Sequence, residues 1–254
     1  MVGQFFWHEL ITTDPKAAGR FYCDVVGWTT QDSGVPGHAY TLFQVGDRAV
    51  GGMLAITPDM ASHGARPAWL GYVSTDDVYQ TAATVRQLGG AIHIAPQEVP
   101  NVIRFTMAAD PQGAVFYAAK GLVKEAPAPL PAGTPGTVGW NELMASDGQA
   151  AFAFYEKLFG WTKDQAMDMG PMGTYQLFAT GAEPVGGMMT KPDAIPVPNW
   201  GYYFNVDVID AAAERVKAAG GKVLMGPAEV PGPMYIIQCM DSLGAYFALV
   251  APKR

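Results

Sequence analysis

An internal repeat constrains the fold of this chain more than any other feature of its sequence. Residues Trp7–Trp28 align without gaps on Trp140–Trp161, and ten of these 22 positions are identical. Further along, Trp69 aligns with Trp200, and the tripeptide Glu-Val-Pro occurs at matching positions in both halves. A unit of about 120 residues is therefore written twice, and one fold is expected for both copies.

The composition between the copies predicts where the first ends and the second begins. The segment GLVKEAPAPLPAGTPGT, residues 121–137, is rich in Pro, Ala and Gly. Such a composition is typical of an extended linker that forms neither helix nor sheet. We therefore predict a first domain over residues 1–120, a linker over 121–137 and a second domain over 138–254.

The first half of each repeat has the pattern of one helix among strands. In the first copy, apolar and β-branched residues predict strands, and a capped helix lies between them. Asp14 followed by Pro15 is a helix start, and Gly27 can end the helix. The predicted strands are Phe5–Thr12, Tyr40–Val45 and Arg48–Ala55.

The second half of the repeat has the same order of elements. A strand at Trp69–Ser74 precedes a helix at Val78–Leu88, which Asp76-Asp77 caps and Gly89-Gly90 ends. Three strands follow, at Ala91–Ile94, Val102–Ala108 and Ala114–Ala119. The order β-α-β-β-β thus occurs twice per repeat and four times per chain.

Composition and charge exclude some partners. The 254 residues are 49% hydrophobic and 15% charged, with a formal net charge of −7. An acidic chain without a basic stripe is a poor binder of nucleic acid. No apolar run approaches the roughly 18 residues that span a bilayer, and the first residues lack the pattern of a signal peptide. We therefore predict a cytoplasmic protein with neither nucleic acid nor membrane as its partner.

Several motifs resemble a known superfamily. The pattern Asp14…Phe21-Tyr22…Gly27, its copy in the second repeat, and the closing Asp110-Pro111-Gln112-Gly113 are similar to those of the vicinal oxygen chelate superfamily. That superfamily includes glyoxalase I, extradiol dioxygenases and bleomycin-resistance proteins. The strings WNEL, FYEKLFGW and VGGM resemble its tandem-domain members. The resemblance implies an α+β fold of tandem glyoxalase-like domains, in which four βαβββ modules form curved mixed sheets around clefts.

The resemblance also implies where a metal ion would bind. Metal-dependent members take His, Gln or Glu ligands from the first, fourth, fifth and eighth strands of each domain. None of the residues here at those positions supplies an imidazole, carboxylate or thiolate, which such ions need. We therefore predict neither a metal ion nor any other cofactor. The eight positions are Trp7, Gly52, Leu70, Tyr117, Trp140, Gly187, Gly201 and Ala248.

The repeated glycine pair has two interpretations. A glycine inside a strand marks a bulge or the close approach of another group. Gly52 and Gly187 leave room either for an organic ligand or for the tryptophan opposite. The alternative is a β-bulge or tight packing without a functional role.

The alternation of side chains along strands identifies further candidates. Glu9 shares a face with Trp7, and Glu142 shares one with Trp140. A carboxylate in an apolar cleft has a raised pKa and can act as an acid or a base. The alternative is that each Glu accepts hydrogen bonds from buried donors, a structural role needed in both copies.

The same alternation predicts aromatic walls. Tyr72 shares a face with Leu70, while Tyr203 and Asn205 share one with Gly201. Aromatic walls with a few polar groups suit flat or amphipathic organic ligands, although ordinary core packing also explains them. Because the first repeat is bulkier at these positions (Leu70 and Tyr117 against Gly201 and Ala248), we expect the second repeat to have the roomier pocket.

We weigh four functions, of which the metal-dependent one is disfavoured by the residues at the eight ligand positions. The first is a metal-independent protein, similar to bleomycin-resistance members, that binds a small organic molecule in an aromatic cleft. The second is a metal-free isomerase or lyase that uses Glu9 or Glu142 for proton transfer. The others are a metal-dependent glyoxalase or dioxygenase, and an interaction module whose clefts are closed by Trp7 and Trp140. The sequence leaves open whether the protein is an enzyme, and whether it is a monomer or a homodimer.

Overall fold

The computed structural model describes residues 2–37, 39–123 and 128–254. These residues form four βαβββ modules, as the repeat predicts. The first module contains strands β1 (Phe5–Thr12), β2 (Thr29–Asp32), β3 (Tyr40–Val45) and β4 (Arg48–Ala55), with helix α1 (Pro15–Val26) after β1 and the short helix α2 (Pro58–Ser62) after β4. The second contains β5 (Ala68–Ser74), α3 (Val78–Gln87), β6 (Ala91–Val99), β7 (Ile103–Ala109) and β8 (Val115–Gly121).

The second repeat supplies the other two modules. The third contains β9 (Val138–Ala145), α4 (Gly148–Phe159), β10 (Thr162–Asp168), β11 (Thr174–Ala179) and β12 (Pro184–Thr190), with a 3₁₀ turn at Gly170–Met172. The fourth contains β13 (Asn199–Asn205), α5 (Ile209–Ala218), β14 (Lys222–Val230), β15 (Met234–Met240) and β16 (Tyr246–Ala251). In the described part of the chain, no helix is long and apolar enough to cross a bilayer.

The strands form two eight-stranded mixed sheets, which confirms the predicted α+β class. One sheet has the order β2-β3-β4-β1-β5-β8-β7-β6, and the other has β10-β11-β12-β9-β13-β16-β15-β14. Within each module the first and last strands pair in parallel, and the remaining pairs are antiparallel. Each module therefore places its first strand beside its last strand, so residues distant in sequence meet on one face.

Capping residues set the ends of α1 as predicted. The side chain of Asp14 accepts a hydrogen bond from the backbone N–H of Ala17, and Pro15 occupies the first turn, where its missing N–H costs nothing. Gly27 ends the helix in the left-handed region at φ 90°, which a residue with a β-carbon adopts only with strain. Asp147 and Gly160 end α4 in the same way.

Three elements differ clearly from the predictions, of which one is the short helix α2, absent from the predicted order. Strand β2 was missed because its four residues, Thr29–Asp32, are all exposed and show no apolar alternation. Strand β6 runs to Val99, five residues beyond the predicted end at Ile94, and its side chains alternate between half-buried and exposed. Edge strands of this kind carry little hydrophobic pattern, so sequence periodicity underestimates them.

The predicted linker is only partly covered by the described residues, because residues 124–127 lie outside them. Gly121 belongs to β8 rather than to the linker. At the other end, the N–H of Gly136 donates to the carbonyl of Asn205 at 2.8 Å, and the N–H of Asn205 donates to the carbonyl of Thr137 at 2.8 Å. The last linker residues are therefore held by the backbone at the end of β13.

The chain divides into two compact units, each built from pieces of both repeats. One comprises Met1–Phe6, Leu70–Ala128 and Trp140–Trp200, and the other comprises Trp7–Trp69, Pro129–Gly139 and Gly201–Arg254.

In the unit that contains α1, a buried tyrosine organises the core. The indole N–H of Trp69 donates to the hydroxyl of Tyr22 at 2.8 Å, and that hydroxyl donates to the carboxylate of Asp241 at 3.1 Å. Asp241 also accepts the backbone N–H groups of Leu243 and Ala245. Burial, followed by the charge of Asp241, raises the pKa of Tyr22 well above its usual value. The phenol therefore stays protonated and can act as a donor in the core.

The unit that contains α4 has an equivalent core built from its own residues. The indole N–H of Trp200 donates to Tyr155 at 3.1 Å, and Tyr155 donates to Asp110 at 3.2 Å. Trp161 stacks on Phe178, with ring centroids 4.4 Å apart. Burial raises the pKa of Asp110, while the backbone N–H groups that it accepts oppose that rise. The Asp-x-x-Gly motif that carried part of the family resemblance is thus a structural hydrogen-bonding device in both units.

Candidate functional site

The first module brings Trp7, Glu9 and Gly52 together. Glu9 on β1 lies opposite Gly52 on β4 in the parallel ladder, and Gly52 lies opposite Leu42 on β3. Trp7 is half-buried, and Glu9 is buried with 4% of its surface exposed. Three strands therefore contribute to one patch of this face, as the alternation of side chains predicts.

Tyr40 occupies the space that Gly52 leaves. A β-carbon added to Gly52 would collide with the Tyr40 ring and hydroxyl. Tyr40 stands on β3, so its side chain passes over β4 at the glycine and reaches β1. There its hydroxyl accepts a hydrogen bond of 2.9 Å from the indole N–H of Trp7. The glycine permits this crossing, and the group that uses the space is a tyrosine of the neighbouring strand.

The third module repeats this arrangement around Glu142. Trp140 and Glu142 lie on β9, and Gly187 on β12 is the register partner of Glu142. A β-carbon on Gly187 would collide with the ring of Tyr175 from β11. The Tyr175 hydroxyl accepts a 2.7 Å hydrogen bond from the indole N–H of Trp140 and donates one of 3.0 Å to Glu142. A buried carboxylate, a phenol and an indole N–H are thus joined in one chain of hydrogen bonds.

Sequence reasoning did not include Tyr40 and Tyr175 among the site residues. A signal for them exists in the repeat: each tyrosine precedes its glycine by the same interval, Tyr40 to Gly52 and Tyr175 to Gly187. A tryptophan two residues before a glutamate recurs with them. The recurrence of all four residue types marks them as one structural group in each copy.

The second module places Tyr72 and Tyr117 in contact. They are register partners on β5 and β8, and their rings stack with centroids 4.1 Å apart at an interplanar angle of 12°. Phe105 on β7 meets the edge of Tyr117 at 5.7 Å, and Phe6 meets Tyr72 at 6.4 Å. Leu70 is buried on the same face of β5. This face is therefore a continuous aromatic and apolar surface.

The fourth module has a more polar face at the corresponding positions. The hydroxyl of Tyr203 accepts a 3.0 Å hydrogen bond from the side-chain amide of Gln238. Ala248, the register partner of Tyr203, stands where the second module has Tyr117. A β-carbon on Gly201 would lie 2.9 Å from the ring of Tyr246, so this glycine also accommodates a tyrosine.

Asn205 makes contacts of another kind. Its side-chain amide donates to the backbone oxygen of Thr137 at 3.1 Å and to the Thr137 hydroxyl at 3.0 Å. These bonds fasten the end of the linker. The prediction that the second repeat has the roomier pocket stays a prediction, although Tyr246 fills part of the space gained at Gly201.

The two cysteines have different surroundings. Cys239 is fully buried, and burial raises its pKa to about 12. Cys23 is half-buried, and burial followed by the charge of Asp24 raises its pKa.

The residues at the family's metal positions do not fit a metal ion. Indole, phenol and aliphatic side chains and glycines supply no imidazole, carboxylate or thiolate. Tyr40 and Tyr175 also cover Gly52 and Gly187, where a fourth-strand ligand would stand. Among residues 2–37, 39–123 and 128–254, no three or more His, Cys, Asp or Glu side chains are grouped closely enough to hold a metal.

The chain belongs to the glyoxalase/bleomycin resistance protein/dioxygenase superfamily. The model of that family matches twice, at residues 4–116 and 137–249. This confirms the resemblance that the motifs suggested and the presence of two tandem copies.

Relatives from Mycobacterium and Streptomyces match almost the whole chain. CFP32 of Mycobacterium tuberculosis, whose name describes it as a glyoxylase, is 34% identical over 256 residues, covering 97% of this chain and 94% of the relative. The anthracycline biosynthesis protein DnrV of Streptomyces peucetius is 30% identical over 258 residues, covering 96% and 91%.

Solved structures share the fold at low sequence identity. The Mn(II)-bound glyoxalase of Novosphingobium aromaticivorans superposes with a TM-score of 0.69 at 16% identity, covering 100% of this chain and 83% of its own. The 2,3-dioxygenase LapB of Pseudomonas sp. KL28 superposes with a TM-score of 0.67 at 12% identity, covering 100% and 94%. At such identities the likeness concerns the fold alone.

Proposed function

We propose that this protein binds a small organic molecule with a planar aromatic part, without a resident metal ion. The observation that carries the proposal is the stacked pair Tyr72 and Tyr117, extended by Phe105 on one face of the second module. Aromatic rings prefer offset-stacked or edge-to-face contacts with other rings, and each such pair contributes about 0.5–1.5 kcal/mol beyond the burial of area.

The surroundings of the pair support this choice. By register, Ser74, Ala109 and Ala119 lie on this face together with six larger side chains that form or border the pair, and none of these nine is charged. Among the six, Val115, Phe105 and Met107 keep part of their surface exposed, while the two tyrosines are nearly buried. A flat ligand would therefore cover apolar surface that the protein leaves partly open. The six residues are Leu70, Tyr72, Phe105, Met107, Val115 and Tyr117.

The relatives narrow the choice of the first ligand to test. DnrV is named for anthracycline biosynthesis, and an anthracycline contains a fused planar ring system that matches an aromatic face in shape. CFP32 is named as a glyoxylase, which makes the glyoxalase reaction the first activity to assay.

The test is a fluorescence titration of the protein with an anthracycline, comparing wild type with Tyr117→Ala. Alanine is the residue that the fourth module has at this position, Ala248. Removing the stacked ring is expected to weaken binding by about tenfold, because it removes one ring contact and its buried area. The matched control is Tyr203→Phe, which removes the bond from Gln238 and should leave anthracycline binding unchanged. Equal affinity of wild type and a folded Tyr117→Ala variant would exclude this face.

A second candidate function is proton transfer by Glu142 or Glu9 without a metal. The observation that favours it is the hydrogen bond from Tyr175 to Glu142, which joins a carboxylate and a phenol on a half-buried face. A proton-transfer enzyme should lose about 10²–10⁴-fold in rate on Glu142→Gln, whereas a binder should lose only part of its affinity. Exchange of ligand C–H for C–D in heavy water, followed by NMR, measures such transfer without a known product.

The absence of a metal ion is itself testable. Elemental analysis of protein purified without chelators or a metal-affinity column should find no stoichiometric Zn, Ni, Mn, Fe or Co. One tightly held transition metal per chain would show that the assignment of the ligand positions is wrong. Cytoplasmic location, the lack of nucleic-acid and membrane partners, and a monomeric or homodimeric state stay predictions for fractionation and size-exclusion experiments.

A further inference from the structure

A groove beside α1 is lined by none of the residues at the family's ligand positions and by none of the aromatic face of the second module. It has a volume of about 570 Å³ and runs between the helix and strands β2, β3 and β4 of the first module. The third module has a smaller groove at the same place, about 430 Å³, beside α4. Volumes of this order are ordinary for sites that bind small molecules. The α1 groove and the α4 groove are formed by matching positions of the two repeats, so they can be compared residue by residue.

The two grooves differ at their floor. In the α1 groove the helix presents Gly19, and a β-carbon there would lie 3.6 Å from the side chains of Met53 and Thr30, an ordinary contact. The α4 groove has Phe152 at the matching position, almost completely buried, and the ammonium of Lys163 lies 5.1 Å from the centre of its ring. Lys163 matches Thr30 in the repeat. In the α4 groove, a phenylalanine and a lysine fill part of the floor. In the α1 groove, a glycine and a threonine stand at these positions and leave more space.

Two cations line the rim of the α1 groove. Lys16 and Arg20 lie one turn apart on α1, and both are exposed. Neither forms an ion pair with any residue in the described part of the chain. Asp24, the acidic residue of the lining, lies one turn from Arg20 and two turns from Lys16, about 6 Å and 12 Å along the helix axis. The groove is therefore most positive towards Lys16, at the end away from Asp24, in a chain whose net charge is −7.

We propose that the α1 groove binds an amphipathic anion, with its apolar part over Gly19 and Met53 and its anionic group between Lys16 and Arg20. A carboxylate or a sulfonate on an aryl or short acyl body has this chemistry. Charge complementarity selects the anionic end, and the missing side chain at position 19 provides the space for the apolar end. The site is separate from the aromatic face of the second module and does not depend on the function proposed for that face.

Cys23 offers a local readout, since it lines the same groove and is half-buried. The experiment measures alkylation of Cys23 by iodoacetamide at about pH 9, where more of the thiol is ionised. It is done with and without anilinonaphthalene sulfonate, an anionic aromatic probe whose fluorescence also reports its binding. We expect the probe to slow alkylation of Cys23, while Cys239 stays unlabelled because it is buried.

Two variants test the two parts of the proposal. Gly19→Phe introduces the residue that the α4 groove already has at this position, and it should weaken binding of the probe by about tenfold or more, because the apolar part loses its place. Lys16→Ala with Arg20→Ala should weaken binding of the sulfonate about two- to tenfold and leave binding of the neutral analogue phenylnaphthylamine unchanged. Lys163→Thr, in the α4 groove, is the matched control and should change neither result.

Several outcomes would overturn the proposal. Alkylation of Cys23 at the same rate with and without bound probe would place the probe elsewhere. Undiminished binding by a folded Gly19→Phe variant would exclude the groove. Should that variant fail to fold, the doubly substituted surface variant decides alone, since Lys16 and Arg20 are exposed: equal loss of the sulfonate and the neutral probe, or loss of neither, would exclude the anion site.

Discussion

The four modules form two pairs. The first and third modules share one arrangement of side chains, whereas the second and fourth differ from each other. The first and third modules keep the same trio, in which a tyrosine crosses a glycine to reach a tryptophan: Tyr40 over Gly52 to Trp7, and Tyr175 over Gly187 to Trp140. The second and fourth modules differ at the corresponding face. One has the stacked pair Tyr72 and Tyr117, and the other has Tyr203 bonded to Gln238 beside Ala248.

This difference separates structure from specificity within one chain. A trio that occurs twice and is joined by short hydrogen bonds behaves as a fixed part of the fold. Because the face is aromatic in one copy and polar in the other, we expect the two copies to differ in their affinity for a ligand. On the sheet faces, the difference therefore directs the search for a ligand to the second and fourth modules, and the search for fold-determining contacts to the first and third.

The largest effect is expected from Gly187→Ala. The added methyl group collides with the ring of Tyr175, so either the ring or the strand must move. Overpacking of this kind costs about 1–3 kcal/mol in the free energy of unfolding. Urea denaturation of the variant should show this loss, and Gly52→Ala should show a similar one if the two trios are equivalent.

Two controls isolate the cause of that loss. Gly181→Ala adds the same methyl group where no atom lies within 4 Å, and should change the stability little. Combining Gly187→Ala with Tyr175→Ala should cost less than the sum of the two single changes, because the collision exists only when both side chains are present. Additive costs would mean that the glycine is required for another reason.

A smaller effect is expected from Tyr175→Phe. The phenylalanine keeps the ring over Gly187, but removes the acceptor of Trp140 and a donor to the buried carboxylate of Glu142. Both bonds are only part-buried, so their loss costs about 0.5–1.5 kcal/mol, the net contribution of a typical hydrogen bond. Thermal unfolding measures the cost, and the emission of Trp140 should change with the loss of its bond. Unchanged stability and emission would show that these bonds contribute nothing to the fold.

Much of the fold can be predicted from the sequence, because helix caps and the periodicity of strands depend on neighbouring residues. Asp14, Pro15 and Gly27 fix both ends of α1, and the periodicity of β1, β3 and β4 gives their bounds residue for residue. Strand β2 could not be predicted in this way. Its four exposed residues carry no hydrophobic pattern, and only pairing with β3 makes them a strand.

The candidate site is less accessible to sequence reasoning, because it depends on which residues meet across strands. Alternation correctly placed Glu142 beside Trp140, but it could not show that Tyr175, two strands away, reaches both. That contact requires the register of β11, β12 and β9 and a glycine at the crossing. Nor does the sequence reveal that Asn205 fastens Thr137, since the two lie 68 residues apart.

The smallest effect, and one of opposite sign, is expected from Gly19→Ala in α1. A glycine inside a helix costs about 0.5–1 kcal/mol relative to alanine, and the added β-carbon makes only ordinary contacts of 3.6 Å with Met53 and Thr30. The variant should therefore unfold at a higher urea concentration than wild type. The matched control, Gly27→Ala, places a β-carbon at φ 90° and should lower stability instead.

A more stable Gly19→Ala variant would mean that the fold does not require this glycine. The open space that distinguishes the α1 groove from the α4 groove would then need a functional explanation. A less stable variant would mean that packing alone accounts for the glycine.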